Sequence, residues 1–162
     1  MKKLVIIAAV GKNNELGYKG NLIWKFKEDM LFFKKMTINH TVVMGDTTFF
    51  SLPKMLDNRK HIVLSFDKDN FPSDVIVLRS IDDFFNLSKS INDDIYIIGG
   101  ASIYKQFINY VDEIILTEIN DTALSDVYFP NFNKSDYDIK LLGENVEKDI
   151  YFKHILYKKR KK

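Results

Sequence analysis

Seven residues near the start of the chain, Leu4-Val5-Ile6-Ile7-Ala8-Ala9-Val10, run without a polar side chain and stop at Gly11. Successive side chains of a strand point to opposite faces, so a run with no alternation has two faces to bury. A central strand of a sheet covered on both sides meets that demand, and an α/β fold supplies the cover. The run is too short to span a bilayer, and Gly11-Lys12-Asn13-Asn14 follows it where a signal peptide would have a cleavage site. A cytoplasmic protein with no membrane association is therefore expected.

Shorter runs of the same kind recur. His40-Thr41-Val42-Val43-Met44-Gly45 reads as a second buried strand, and Asp46 to Leu52 as a short helix capped by Asp46. Further strands are expected at 60–65, 75–78, 94–100 and 113–119. Helices are expected at 80–91, where Ser80 with Asp83 three residues on makes a capping box in kind, and at 101–110. Two late candidates, near 139–142 and 151–157, alternate apolar and polar residues as antiparallel edge strands do. Residues 11–21, with three Gly and three Asn, read as a loop. Strand–helix alternation early and antiparallel pairing late predict a single-domain α/β fold, one mixed sheet with helices on both faces.

Composition removes whole classes of chemistry. There is no Cys in the 162 residues, which excludes disulfides, thiolate catalysis and thiolate metal sites. His40, His61 and His154 have no ligand spacing, so no metal is expected. Lys plus Arg number 24 against 22 acids, a balance that gives no global field for nucleic acid. The exception is Lys158-Lys159-Arg160-Lys161-Lys162, read as a solvated basic tail after a domain of residues 1–157.

Counted at 3.6 residues per turn from Phe26, the next helix sets Phe26, Asp29, Met30, Phe33, Met36 and Thr37 on one face and turns Glu28, Lys34 and Lys35 away. Asp29 thus lies in an apolar stripe. A buried carboxylate without a partner costs several kcal/mol, and no Lys, Arg or His shares that face, so a donor-rich ligand is the expected partner. Gly99-Gly100, between a strand and a helix start, lets backbone approach a flat ring or a phosphate closely, although it is not the GxGxxG fingerprint. Arg59 stands just before a strand. An acid on one side of a cleft and an Arg on the other describe a ligand with a donor-rich end and a carboxylate end.

These pieces share the order and spacing of one family. Ala8-Ala9, the loop at Gly17, Trp24 with Asp29 five residues on, Phe33-Lys34-Lys35-Met36-Thr37, Val43-Met44-Gly45 with Thr48-Phe49, Arg59 through Ser65, Ile98 through Tyr104 and Leu116-Thr117-Glu118-Ile119 resemble bacterial dihydrofolate reductase over nearly the whole chain. The resemblance implies an eight-stranded, mainly parallel sheet with an antiparallel C-terminal edge. It implies reduction of 7,8-dihydrofolate to 5,6,7,8-tetrahydrofolate by NADPH in one-carbon metabolism, by a monomer that antifolate inhibitors also bind. Its catalytic set is Asp29, Leu22, Trp24, Tyr104 and Thr117, with Asp29 accepting from the pterin, Thr117 supporting it and Tyr104 beside the nicotinamide. Ile7, Ala8, Met30, Phe33, Leu52, Leu56 and Ile98 form the walls for substrate, and Arg59 grips the glutamate α-carboxylate. Ala9, Leu16, Gly17, Tyr18, Lys19, Gly20, Asn21, Gly45, Asp46, Thr47, Thr48, Ser65, Phe66, Arg79, Gly99, Gly100, Ala101, Ser102, Ile103, Tyr104 and Gln106 hold the cofactor.

The chain departs from the family pattern at several places. Ile23 and Lys27 stand where Pro usually precedes Trp24 and follows it by three, which is expected to loosen the approach to the helix. Asp46, Phe66 and Ser102 replace residues that are usually or often basic or polar near the cofactor phosphates, so partial tolerance of NADH is expected because of Asp46. Two other readings use the same residues. One is a reductase of a ribosylated pyrimidine on the same fold, against which the helix Asp with its partner Arg argues. The other is a non-catalytic nucleotide- or RNA-binding module, against which an intact Asp29, Thr117 and Arg59 argue.

Overall fold

The computed structural model describes residues 2–161. In chain order these form β1 (Leu4–Val10), β2 (Glu15–Tyr18), β3 (Asn21–Leu22), α1 (Lys27–Thr37), β4 (Thr41–Gly45), α2 (Asp46–Ser51), β5 (Lys60–Leu64) and β6 (Ile76–Leu78). They continue with α3 (Ile81–Ser88), β7 (Ile95–Gly99), α4 (Ala101–Phe107), β8 (Glu113–Ile119), β9 (Val127–Tyr128), β10 (Tyr137–Glu147) and β11 (Ile150–Lys159).

Eight strands form one sheet in the order β10-β11-β8-β1-β7-β4-β5-β6, parallel except for β11 on β8 and β10 on β11. The continuous apolar run is β1, and its alternate residues feed two separate cores. Val5 and Ile7 join Phe32, Phe33 and Met36 of α1 and Phe49 of α2. Ile6, Ala8 and Val10 join Phe84 of α3 and Ile103 and Phe107 of α4 on the other face. Each such aliphatic side chain, fully buried, contributes about 1.5–3 kcal/mol. From β1 the chain crosses to β4, β5 and β6 on one side, returns to insert β7 between β1 and β4, and lays β8 on the far side of β1. A cleft at the carboxyl ends of strands that diverge in this way is where α/β sheets bind ligands.

Several expectations need correction. Residues 11–21 are not simply a loop: β2 and β3 pair as a hairpin, with Lys19 (φ 49°) and Gly20 (φ 80°) in the left-handed region at its tip, and β2 also pairs with β9. That two-residue turn suits the twist of a hairpin, which two positive φ values permit. Helices α3 and α4 end at Ser88 and Phe107, earlier than the apolar spacing suggests. The late strands are longer than their alternating cores, because β10 and β11 pair from Tyr137↔Lys159 to Glu147↔Ile150 through polar, solvent-facing residues.

The domain boundary at residue 157 falls inside β11. Lys158 and Lys159 are strand residues, the Arg160 N–H bonds to the Asp136 carbonyl at 3.0 Å, and the Arg160 guanidinium lies 3.4 Å from Asp138. Lys162, the last residue of the expected tail, lies outside the described residues. The approach to α1 is tied, not loosened. Phe26 provides no side-chain cap, but the Glu147 carboxylate accepts from the N–H groups of Lys27 and Glu28 at 2.9 and 2.6 Å. A Pro at position 27 would have no N–H to give; Lys27 has one, and the β10–β11 hairpin supplies its acceptor.

Candidate active site

The register of three strands assembles the site. Ala9 of β1 pairs with Thr117 of β8, and Thr117 pairs with His154 of β11, so the three side chains share one face of the sheet. Helix α1 lies over that face and brings down Asp29. The Thr117 hydroxyl donates to Asp29 Oδ1 at 2.5 Å, while His154 Nδ1 stands 2.9 Å from Thr117 Oγ1 and 3.8 Å from Asp29 Oδ1. Burial raises the Asp29 carboxyl above its ordinary range against the lowering effect of the Thr117 bond, and the Glu147 carboxylate adds to the rise.

No Lys, Arg or His lies on the helix face that carries Asp29, and the groups beside its carboxylate come from the sheet, at positions 88 and 125 residues further along the chain. His154 is the member of this cluster that its place in the sequence does not single out. Its only signal is that Phe152, His154 and Leu156 share the inward face of a strand, a pattern that reads equally as core.

The helix face itself also differs from expectation. Phe32 is half-buried and stacks on the His154 imidazole, ring centroids 3.8 Å apart, whereas Met30 is 62% exposed at the margin. Phe33 packs where expected, with Leu52, Leu56 and Ile98, against the core that holds Ile7.

Arg59 is anchored at the far end of α1. Its Nη1 donates to the hydroxyl of buried Thr37 at 3.1 Å and its Nε to the Asp57 carbonyl at 2.9 Å, and it forms no ion pair among the described residues. His61 holds this turn in place. Its Nδ1–H donates to the Arg59 carbonyl at 2.9 Å and its Nε2 accepts from the Leu56 N–H at 3.1 Å, a neutral imidazole consistent with burial lowering its pKa. Eight residues of helix separate Asp29 from Thr37, a rise of about 12 Å. The acid and the guanidinium thus sit at opposite ends of one rod.

On the other side of β1, the carboxyl ends of β4 and β7 open into α2 and α4. Gly99 takes φ +130°, which favours glycine, and the Gly99–Gly100 peptide is cis. A Cβ on Gly100 would lie 3.3 Å from Thr48 Oγ1 and one on Gly45 3.1 Å from Ile103, so glycine leaves these backbones open to close approach. The Tyr104 hydroxyl, fully buried, donates to the Ile7 carbonyl at 2.8 Å. Leu22 is 64% exposed on β3, and the Trp24 indole N–H donates to Asp121 at 3.0 Å. The Leu16–Asn21 hairpin pairs with β9 through β2, and the Lys19 N–H donates to Asp126, just before β9, at 3.0 Å.

Asp46 is not the expected cap. Gly45 holds the N-cap position of α2 and Asp46 is its first residue, with Oδ2 accepting from the Ser65 hydroxyl at 2.7 Å. That bond holds the Asp46 carboxyl below its usual range, with help from Lys68. Arg79 is committed to the same loop, donating to the carbonyls of Ser65 and Lys68 at 3.0 and 2.8 Å and pairing with Asp69. Phe66, beside them, is 89% exposed. Among the described residues no helix is long and apolar enough to cross a membrane, and no group of three His, Asp or Glu could hold a metal ion.

The family model for dihydrofolate reductase matches residues 3–159. The chain is 38% identical over 133 residues to the dihydrofolate reductase of Buchnera aphidicola subsp. Acyrthosiphon pisum, covering 82% of this chain and 81% of that one. It is 30% identical over 157 residues to that of Bacillus subtilis, covering 95% and 93%. Among solved structures, the dihydrofolate reductase of Enterococcus faecalis complexed with NADP(H) and RAB-propyl superposes with a TM-score of 0.90 at 26% identity, covering 98% and 97%.

The raised pKa of Asp29 makes a prediction about stability. Between the ordinary aspartate range and the raised value, the folded chain keeps a proton that the unfolded chain has lost, so stability falls as pH rises through that window. Replacing Asp29 by Asn removes this loss while leaving an oxygen for Thr117 to bond. The Asp29→Asn variant should therefore melt above the wild type at neutral pH, with the gap closing below about pH 4, where both side chains are neutral in either state. Thermal unfolding across that range checks it.

Proposed function

The chain belongs to the dihydrofolate reductase family, and on that premise we propose how its own residues carry the reaction. The protein is an oxidoreductase that reduces 7,8-dihydrofolate to 5,6,7,8-tetrahydrofolate with NADPH. The observation that supports the residue assignment is the 2.5 Å hydrogen bond from Thr117 to an otherwise apolar-faced Asp29. Thr117 engages Oδ1, which leaves Oδ2 to accept from the ring N–H and 2-amino group of the pterin. Burial raises the pKa of this carboxyl, which suits it to promote proton delivery to the ring.

Ile7, Ala8, Phe33, Leu52, Leu56 and Ile98 wall the ring, with Met30 at the rim, and exclude water from the reacting face. Arg59, fixed through Thr37 and the Asp57 carbonyl, presents its remaining N–H groups to the glutamate α-carboxylate. The separation of about 12 Å along α1 suits a ligand with those two ends. NADPH supplies the hydride. Gly45, Gly99 and Gly100 would let the cofactor approach the backbone closely, and Thr47, Thr48, Ala101, Ser102 and Ile103 lie at the two helix starts that would hold its pyrophosphate, with Gln106 one turn further along α4, bonded back to Ser102. Leu22, Trp24 and the Leu16–Asn21 hairpin would cover the nicotinamide end, and Tyr104 would lie beside it. Every group named is on one chain, which supports action as a monomer, and the absence of Cys suits a reducing cytoplasm. The same walls and the Asp29 carboxylate would receive antifolate inhibitors.

Asp29→Asn tests the assignment. General acid–base contributions of this kind are worth about 10²- to 10⁴-fold, so kcat for dihydrofolate at neutral pH should fall by about that factor in a folded protein. Wild-type turnover would remove Asp29 from the chemistry.

Cofactor choice follows from the ribose-phosphate side. Asp46 occupies the Ser65 hydroxyl and places an anion where the 2′-phosphate of NADPH would lie, while Arg79 is spent on backbone carbonyls and Asp69. Exposed Phe66 offers the adenine a flat face. NADPH is used, but its advantage over NADH should be small and should shrink further with added salt. Asp46→Arg should raise the NADPH to NADH ratio of kcat/KM by roughly 10- to 150-fold, the worth of one charge-assisted hydrogen bond. A ratio that stays where it was would separate Asp46 from the nucleotide.

A further inference from the structure

The residue beneath Asp29 and Thr117 has an arrangement that its packing alone does not explain. His154 is 2% exposed, stacked on Phe32, and its Nε2 has no hydrogen-bond partner among the described residues. Its other nitrogen, Nδ1, is 2.9 Å from Thr117 Oγ1. The Thr117 proton is already given to Asp29 Oδ1, so Thr117 can only accept from His154. That requires the proton on Nδ1 and leaves Nε2 bare. A protonated imidazole would bury a second N–H with nothing to receive it, which costs more than the Asp29 oxygen 3.8 Å from Nδ1 returns.

We propose that His154 is a positioning residue: its Nδ1–H donates to Thr117 Oγ1, orients the Thr117 hydroxyl toward Asp29, and so holds the carboxylate in its ionised, ligand-accepting state through a one-way relay. An alcohol without such a donor behind it is free to rotate and to accept from the ligand in place of giving to Asp29. With His154 in place one lone pair of Thr117 is filled and its proton has one direction. The relay favours the charged form of Asp29 and opposes the effect of burial. Burial also lowers the His154 pKa to about 4, which keeps the donor neutral across the working range. The groups that face Asp29 are Thr117 from β8, His154 from β11 and Glu147 from β10, with Glu28 its neighbour on α1. Only His154 acts through a hydroxyl.

This inference rests on Asp29 being the proton-handling carboxylate, and its test has a readout that needs no turnover. In the ligand-free wild type, nitrogen-15 spectra of the His154 ring should show a neutral imidazole protonated at Nδ1 and unchanged from about pH 5 upward. A ring protonated at Nε2, or one that titrates near neutrality, overturns the relay even if Asp29 remains essential.

The pH dependence of hydride transfer, followed in single turnovers, supplies the second arm. His154→Phe keeps the ring and its stacking but removes the donor, so the limb on which the rate falls with rising pH should move up by roughly half to one pH unit. His154→Asn, whose amide N–H can stand near Nδ1, should bring the limb back toward the wild type. In a Thr117→Val background, His154→Phe should move it no further, because the relay is already cut. A shift of equal size in that background would mean His154 acts on Asp29 directly, and no shift in either would make it a core residue only; both results refute the relay.

Discussion

A carboxylate pressed against an apolar sheet face must be given donors, and the arrangement of this protein follows from where those donors come from. Asp29 stands on the helix that seals one core of the sheet, and its own helix offers it nothing. Three strands in register meet the need: β1 brings the small Ala9 that leaves room, β8 the Thr117 hydroxyl and β11 the His154 ring. A slip of one residue on either strand would send Thr117 or His154 to the opposite face. The antiparallel addition of β11 to an otherwise parallel sheet thus has a consequence for chemistry as well as for covering an edge.

Helix α1 couples this site to the rest of the ligand. Its first turn is tied to Glu147 at the tip of β10 and its last to Arg59 through Thr37, so one rigid element sets the distance between the ring-binding acid and the carboxylate-binding guanidinium. His61 then fixes the turn from which Arg59 projects. The cofactor side is organised by small residues instead, Gly45, Gly99 and Gly100 drawing α2 and α4 close to the sheet, with Asp46 and Ser65 facing each other across the adjoining edge.

The parts of this structure that were legible in the sequence are those decided locally. The Leu4–Val10 run demanded burial on two faces and is the central strand, Ser80 caps its helix through Asp83 at 3.0 Å, and an acid in an apolar helical stripe marked the cleft. What was not legible depends on residues far apart in the chain. The capping propensity of Asp46 lost to the Ser65 hydroxyl just past the end of β5. The missing Pro at position 27 was answered by Glu147 some 120 residues later. The hairpin at 15–22 has too few apolar residues to show a strand period, and only its pairing with β9 and its two positive φ values define it. His154 looked like one more side chain on an edge strand, because its role depends on Thr117 and Asp29, neither of them near it in sequence.

The central claim is that burial keeps the Asp29 carboxyl raised in the free protein even though Thr117, backed by His154, bonds to it and favours its charged form. Carbon-13 NMR of labelled aspartate carboxyl groups, with the Asp29 signal assigned by its loss in Asp29→Asn, measures that state directly. Asp29 should titrate clearly above the ordinary aspartate range, against the trend for a carboxylate accepting a short hydrogen bond. Titration at or below that range would mean that the donors outweigh burial, and would contradict the account of how the site handles a proton.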